Sequence, residues 1–105
     1  MIRRISLVRK RPELSSEEFL ARWTGEHVAL AKRLPGLRGY VIHVIDDDAA
    51  PYDGVAITTF DSRADADRAF SESGLAEGLA RTRDEFAASV DVYFTEEHVI
   101  VEEGA

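Results

Sequence analysis

Two residues of this 105-residue chain, His27 and Tyr40, could carry out proton-transfer chemistry together. An imidazole can remove a proton near neutral pH, and a phenol can donate a hydrogen bond to a developing oxyanion. Asp53, at the entrance to a later strand, could add a carboxylate that orients the imidazole. If the fold brings them together, we expect general acid–base chemistry with His27, Tyr40 and Asp53 as candidate catalytic residues.

His27 interrupts an apolar stripe whose spacings of four, four, three and four residues indicate one helical face. The stripe consists of Phe19, Trp23, His27, Leu30 and Leu34. A buried imidazole needs a hydrogen-bond partner, because an unpaired polar group costs about 1–3 kcal/mol. His27 could bond a backbone carbonyl as core filler or could line a ligand cavity. Gly25, which weakens the helix just before it, favours a functional site, and both interpretations stay open.

Aromatic side chains are the candidate ligand contacts. Trp23, one turn before His27, could wall a cavity and stack on a ring, and Phe19 and Phe60 are further candidate substrate-binding residues. Tyr40 could equally be a core aromatic with its hydroxyl in solvent. A small-molecule ligand is therefore the expected partner.

The elements that must position these residues follow the order βαββαβ. Predicted strands cover residues 2–9, 37–46, 55–60 and 90–101. Capping signals at Ser15 and Ser62 predict one helix from Ser16 to about Leu34 and a second region from Arg63 to about Ala88, interrupted near Gly74 or Gly78. This order predicts a ferredoxin-like α+β fold, with a four-stranded antiparallel sheet and two helices on one face.

Composition narrows the function classes. Length and ordinary globular composition predict a single domain over residues 1–105, and the absence of signal-peptide or membrane-span patterns predicts a cytoplasmic protein without membrane contact. A net charge of −7 argues against nucleic-acid binding. The basic group Arg3, Arg4, Arg9, Lys10 and Arg11 could attract an anion, but a solvated strand end is the favoured interpretation.

No cofactor or metal is expected. Cysteine is absent, the three histidines show no metal-binding spacing, and no dinucleotide or nucleotide-phosphate motif occurs. The second strand is apolar on both parities, so helices can cover only one of its faces. We therefore predict a homodimer packed through the sheet face.

The motifs W-x-x-x-H, L-P-G-L-x-x-Y and Y-D-G, in this order and spacing, resemble the EthD family of small dimeric α+β barrel proteins. The resemblance implies a ferredoxin-like monomer, dimerisation through the sheet and a pocket between sheet and helices. Members include a methylmuconolactone methylisomerase and dehydratases or cyclases of aromatic polyketide pathways, which need no cofactor. The site histidine and tyrosine match His27 and Tyr40, and the loop aspartate matches Asp53; the isomerase's cysteines have no counterpart.

Three functions follow, and the residues leave open whether the chain is an enzyme. The first is a cofactor-independent lyase or isomerase, of dehydratase or cyclase type, for a ring-like phenolic, polyketide or lactone substrate. The alternative is a non-catalytic protein that binds small aromatics or assists a degradative oxygenase. A further alternative is a cofactor-free monooxygenase.

Overall fold

The structure, a computed structural model, describes residues 1–102 and 104. One antiparallel sheet has the strand order β2-β3-β1-β4, and its strands are β1 (Ile2–Lys10), β2 (Gly39–Val44), β3 (Gly54–Phe60) and β4 (Ala87–Glu96). The helices are α1 (Ser16–Arg22), α2 (Val28–Ala31), α3 (Arg63–Glu72) and α4 (Ala76–Asp84). This is the predicted ferredoxin-like α+β fold. Within the described residues, no helix combines the length and apolar character needed to cross a membrane.

The first helical region begins as predicted but does not continue unbroken. The Ser15 hydroxyl accepts a hydrogen bond from the Glu18 amide, and the Glu18 carboxylate accepts one from the Ser15 amide, which completes a capping box. The prediction of one helix to about Leu34 is wrong, because a π-helical turn, Trp23–His27, separates α1 from α2 and α2 ends at Ala31. Gly25, with ψ −120°, leaves the helical conformation within that turn.

The second helical region breaks at the first of the two predicted glycines. Gly74 has φ +77°, a left-handed conformation that glycine adopts without steric penalty, and it separates α3 from α4. The region ends at Asp84 rather than near Ala88, since β4 already begins at Ala87. The last strand is correspondingly displaced and ends at Glu96, not at Val101.

The core lies between the helices and one face of the sheet. Its two clusters are centred on Trp23 and on Phe60, and each combines helix residues with strand residues. The even-numbered residues of the strands face this layer, as Val8, Thr58 and Phe60 show by their burial.

The opposite face of the sheet carries an apolar row. Strand register places four side chains side by side across the four strands, namely Val41, Ile57, Ile5 and Tyr93. The two ends of the row are exposed, Val41 to 51% and Tyr93 to 58%. The helices leave this face uncovered.

Candidate functional site

A cavity of about 230 Å³ lies between the sheet and the helices. Trp23 and His27 from the π turn, Tyr40 from β2, Arg4 from β1 and Arg83 from α4 all line it. An apolar cavity of about 150 Å³ can hold benzene, so this one has room for a substituted ring. The predicted pair His27 and Tyr40 therefore lines one cavity.

Trp23 forms a wall of the cavity and is itself almost fully buried. Its indole stacks on Phe86 with ring centroids 5.5 Å apart, and the far end of the indole lies close to Gly54 at the start of β3. A Cβ atom at Gly54 would come within 2.7 Å of Trp23 Cη2 and closer still to Cζ3. Gly54 is therefore required by the close approach of the indole to the sheet.

The imidazole of His27 is held by Thr82 of α4. His27 Nδ1 lies 2.8 Å from Thr82 Oγ1, which in turn lies 2.8 Å from the Gly78 carbonyl oxygen and 3.2 Å from that of Leu79. Because carbonyl oxygens only accept, the single Thr82 hydroxyl proton is donated to Gly78. We therefore assign the ring proton of His27 to Nδ1, which donates to Thr82 and leaves Nε2 unprotonated.

The surroundings of His27 favour its neutral form. Burial lowers the pKa of the imidazole to about 4, and the positive charges of Arg83 and Arg4 act in the same direction. The nearby Leu79 carbonyl oxygen opposes this lowering of the pKa. The edge of the ring packs against Phe86 at a centroid distance of 5.2 Å. At neutral pH the cavity therefore contains a neutral imidazole with a free nitrogen lone pair.

Tyr40 supplies a hydroxyl to the same cavity. Burial raises the pKa of its phenol above the ordinary value, and the Trp23 side chain opposes this by a smaller amount. The phenol therefore stays protonated at neutral pH and can donate a hydrogen bond. His27 and Tyr40 thus offer a base and a donor on one cavity.

Asp53 lies elsewhere and has a different partner. Its carboxylate accepts a hydrogen bond of 2.7 Å from the Lys10 amide, its own amide donates to the Val8 carbonyl, and its carbonyl accepts from the Ile45 amide. These bonds fasten the start of β3 to its neighbours, and Asp53 does not line the cavity. The geometry does not support the predicted orienting role of Asp53, since Thr82 occupies the imidazole nitrogen.

The other two predicted ligand contacts also lie outside the cavity lining. Phe19 is buried behind Trp23 at a centroid distance of 5.3 Å, and Phe60 packs on Phe70 in the second core cluster. Of the three predicted aromatic contacts, only Trp23 faces the cavity. Sequence reasoning did not identify Thr82 as a site residue. Its position between Leu79 and Phe86, as a hydroxyl residue on an otherwise apolar helical face, is the feature that indicates it.

Arg4 corrects the interpretation of the basic N-terminal group as a solvated strand end. Its guanidinium lies 4.1 Å from the centre of the Phe70 ring and lines the cavity, and burial lowers its pKa. No group of three or more potential metal ligands occurs in the part of the chain that the structure describes.

The sequence model of the EthD domain matches residues 11–90, which is most of the chain. The chain belongs to the EthD family. A crystal structure of an ethyl tert-butyl ether d (EthD) family protein from Bacillus halodurans matches it with TM-score 0.78 and 19% identity, covering 93% of this chain and 99% of that one. No curated protein sequence matches the chain significantly.

Two further solved structures share the fold. A dimeric protein of unknown function with a ferredoxin-like fold, from Bacteroides fragilis, matches with TM-score 0.70 and 15% identity, covering 91% of this chain and 95% of that one. A protein described as an antibiotic biosynthesis monooxygenase matches with TM-score 0.65 and 18% identity, covering 94% and 100%.

The structure gives the EthD motifs physical meanings. W-x-x-x-H spans the π turn that brings Trp23 and His27 to the cavity. The tyrosine of L-P-G-L-x-x-Y is Tyr40, which lines the cavity from β2. The Y-D-G motif is structural here, because Asp53 joins strands and Gly54 makes room for the indole.

Proposed function

We propose that this EthD-family protein is a cofactor-independent lyase or isomerase, of dehydratase or cyclase type, acting on a ring-like phenolic, polyketide or lactone substrate. The observation that carries the proposal is that His27 and Tyr40 line one cavity while Thr82 engages Nδ1 of His27, so that Nε2 of the neutral ring is the nitrogen that can accept a proton. This base is already unprotonated at neutral pH, and its low pKa makes it weaker than an ordinary imidazole.

The proposed reaction begins with His27 Nε2 taking a proton from a carbon next to a substrate carbonyl. The electron pair of that C–H bond moves to the carbonyl oxygen, where the Tyr40 hydroxyl donates a hydrogen bond to the enolate. The imidazolium keeps its Nδ1–H bond to Thr82 and returns the Nε2 proton. Return to a different carbon gives an isomer, and return to a departing hydroxyl gives a dehydrated product and water.

Exchange of substrate protons with solvent deuterium tests these roles. We would incubate the protein in D₂O with phenolic, polyketide-like and lactone compounds and follow deuterium uptake by mass spectrometry. His27→Ala should abolish uptake, and Tyr40→Phe should slow it by about 10²–10³, as loss of an oxyanion donor does. His98→Ala removes an exposed imidazole and is the matched control. Unchanged uptake in both site variants would show that the assignment is wrong.

Two other functions use the same cavity. A protein that only binds small aromatics, or that assists an oxygenase, would show tight binding without exchange or turnover. A cofactor-free monooxygenase would consume oxygen after His27 removed a proton, and the similar antibiotic biosynthesis monooxygenase makes this test worthwhile. Oxygen uptake dependent on His27 would favour that function over the lyase or isomerase.

We also propose that a second copy covers the apolar row of Val41, Ile57, Ile5 and Tyr93. The row is exposed at both ends, and the similar Bacteroides fragilis protein is described as dimeric. Exposed apolar patches on a sheet are stabilised by burial against a partner. A single monomeric species in sedimentation at micromolar concentration would overturn this proposal.

A further inference from the structure

The charge of the cavity is opposite to that of the chain. The protein has a net charge of −7, yet the cavity lining contains two arginines, Arg4 and Arg83, and no carboxylate. His27 adds no positive charge there, because its pKa is about 4. The space beside the proposed base is therefore cationic at neutral pH.

Arg4 has no carboxylate partner among the residues that the structure describes. Its guanidinium donates a hydrogen bond of 3.3 Å to the Ser6 hydroxyl and lies over the face of Phe70. Arg3, its neighbour on the opposite face of β1, pairs with Glu97, and Arg81 on α4 pairs with Glu26 at 3.1 Å. Arg4 thus differs from these two arginines, each of which has a carboxylate partner.

Arg83 does not neutralise this charge but adds to it. The Arg83 side chain is 44% exposed, its ion pair with the adjacent Asp84 is a long one of 3.9 Å, and its charge lowers the pKa of Arg4. Withdrawing a cation from water without a counter-charge is unfavourable, and two neighbouring cations repel each other. An anion between the two guanidiniums would relieve both effects.

We propose that the ligand of this cavity is a ring compound with a single carboxylate group. The carboxylate lies between Arg4 and Arg83, and the ring lies beside Trp23. The planar guanidinium matches a carboxylate through paired hydrogen bonds, and the volume of about 230 Å³ leaves room for a substituted ring. This proposal adds a substrate class to the proposed function. The statement that the ligand is a substrate rests on that function. The binding step stands independently of it.

Pairs of probes that are similar in size and shape but differ in charge test the proposal. Benzoate against benzamide, and cinnamate against cinnamamide, would be titrated by calorimetry and by the fluorescence of Trp23, the only tryptophan. We expect each carboxylate to bind about ten times more tightly than its amide. Arg4→Gln and Arg83→Gln should each remove most of this preference. Arg81→Gln, an exposed arginine of the same helix, should retain it.

Several results would overturn the proposal. They are equal affinity for acid and amide, no binding of either acid in the millimolar range, and an unchanged preference in Arg4→Gln. Equal loss in Arg81→Gln would also overturn it, because the effect would then be general charge. Circular dichroism confirms that each variant is folded, and Arg4→Lys, which keeps the charge without the planar fork, should retain part of the preference.

The same experiment separates this proposal from the function proposed above. His27→Asn should keep the preference for the carboxylate while losing any proton exchange. A preserved preference with no exchange in the wild-type protein would leave the carboxylate site in place and reject the acid–base function. Proton exchange that occurs only with uncharged substrates would reject the carboxylate site instead.

Discussion

The substitution Gly54→Ala tests whether the Trp23 wall is built as described. The new methyl carbon would lie within 2.7 Å of Trp23 Cη2, whereas ordinary carbon contacts are about 3.5–4.0 Å. The indole must therefore move by about 1 Å, and Phe86 stacks behind it. Overpacking of this kind costs about 1–3 kcal/mol, and we expect about 2–3 kcal/mol because the obstacle is a rigid ring.

Urea unfolding followed by circular dichroism measures this cost, with all variants at one protein concentration. Gly39→Ala is the matched control, since it adds a methyl group to a strand glycine whose nearest neighbour would be 3.5 Å away. We expect that control to change stability by less than about 0.5 kcal/mol. Trp23→Phe shortens the side chain, so Gly54→Ala should lose most of its cost in that background.

The coupling between the two positions decides the matter. If Gly54→Ala costs less than about 0.5 kcal/mol, or the same amount beside Trp23 as beside Phe at that position, the indole does not lie on Gly54. The interpretation of Y-D-G as a structural motif would then be wrong.

Three further predictions concern His27, Thr82 and the sheet face. In the folded protein the pKa of His27 is lowered from its ordinary 6.5 to about 4. As the pH falls below 6.5, this imidazole therefore binds a proton in the unfolded chain before it does so in the folded protein. The stability present above pH 6.5 is lost as the pH falls toward 4. After allowance for partial exposure, wild type should lose about 1 kcal/mol more than His27→Gln between about pH 7 and 5 in urea titrations; equal losses would contradict this. Thr82→Val removes the acceptor of the His27 Nδ1–H group, so it should mix the two tautomers of His27 and slow exchange of substrate protons about tenfold. An unchanged ¹⁵N NMR spectrum of the His27 ring would exclude the assigned hydrogen bond. Ile57→Asp should yield monomers in sedimentation while Leu20→Asp, on an exposed helix face, stays dimeric; a dimeric Ile57→Asp would refute the sheet interface.

Capping signals and apolar periodicity were enough to predict the element order and the stripe that carries His27. The capping box at Ser15 and the break at Gly74 depend on local chemistry, which a sequence displays directly. The π turn could not be predicted, because Trp23 and His27 are spaced equally well for an unbroken helix. Gly25 marked a weakness there without showing which hydrogen bonds would shift.

The face of β1 shows why part of the site escaped prediction. Ile5 and Leu7 share one parity and Ile2 and Val8 share the other, so alternation alone does not decide which parity faces the helices. The structure turns Arg4, Ser6 and Val8 inward, where they line the cavity. Because both faces of β1 carry apolar residues, Arg4 could not be placed at the cavity from the sequence.

Asp53 illustrates the same limit for a loop residue. A carboxylate before a strand could serve catalysis or join backbone segments, and only the strand register shows that its partner is the Lys10 amide. Thr82, which takes the place predicted for Asp53, lies 55 residues from His27 along the chain. No local spacing could connect them.

The central claim is that His27 is a neutral base with its proton on Nδ1. The most direct test is a pH titration of ¹⁵N-labelled protein by long-range nitrogen–proton NMR, with the signals of His27 assigned by their loss in His27→Gln. The account predicts a pKa of about 4 and, above it, a proton on Nδ1 with Nε2 free. A pKa near the ordinary 6.5, or a neutral ring protonated on Nε2, would contradict it.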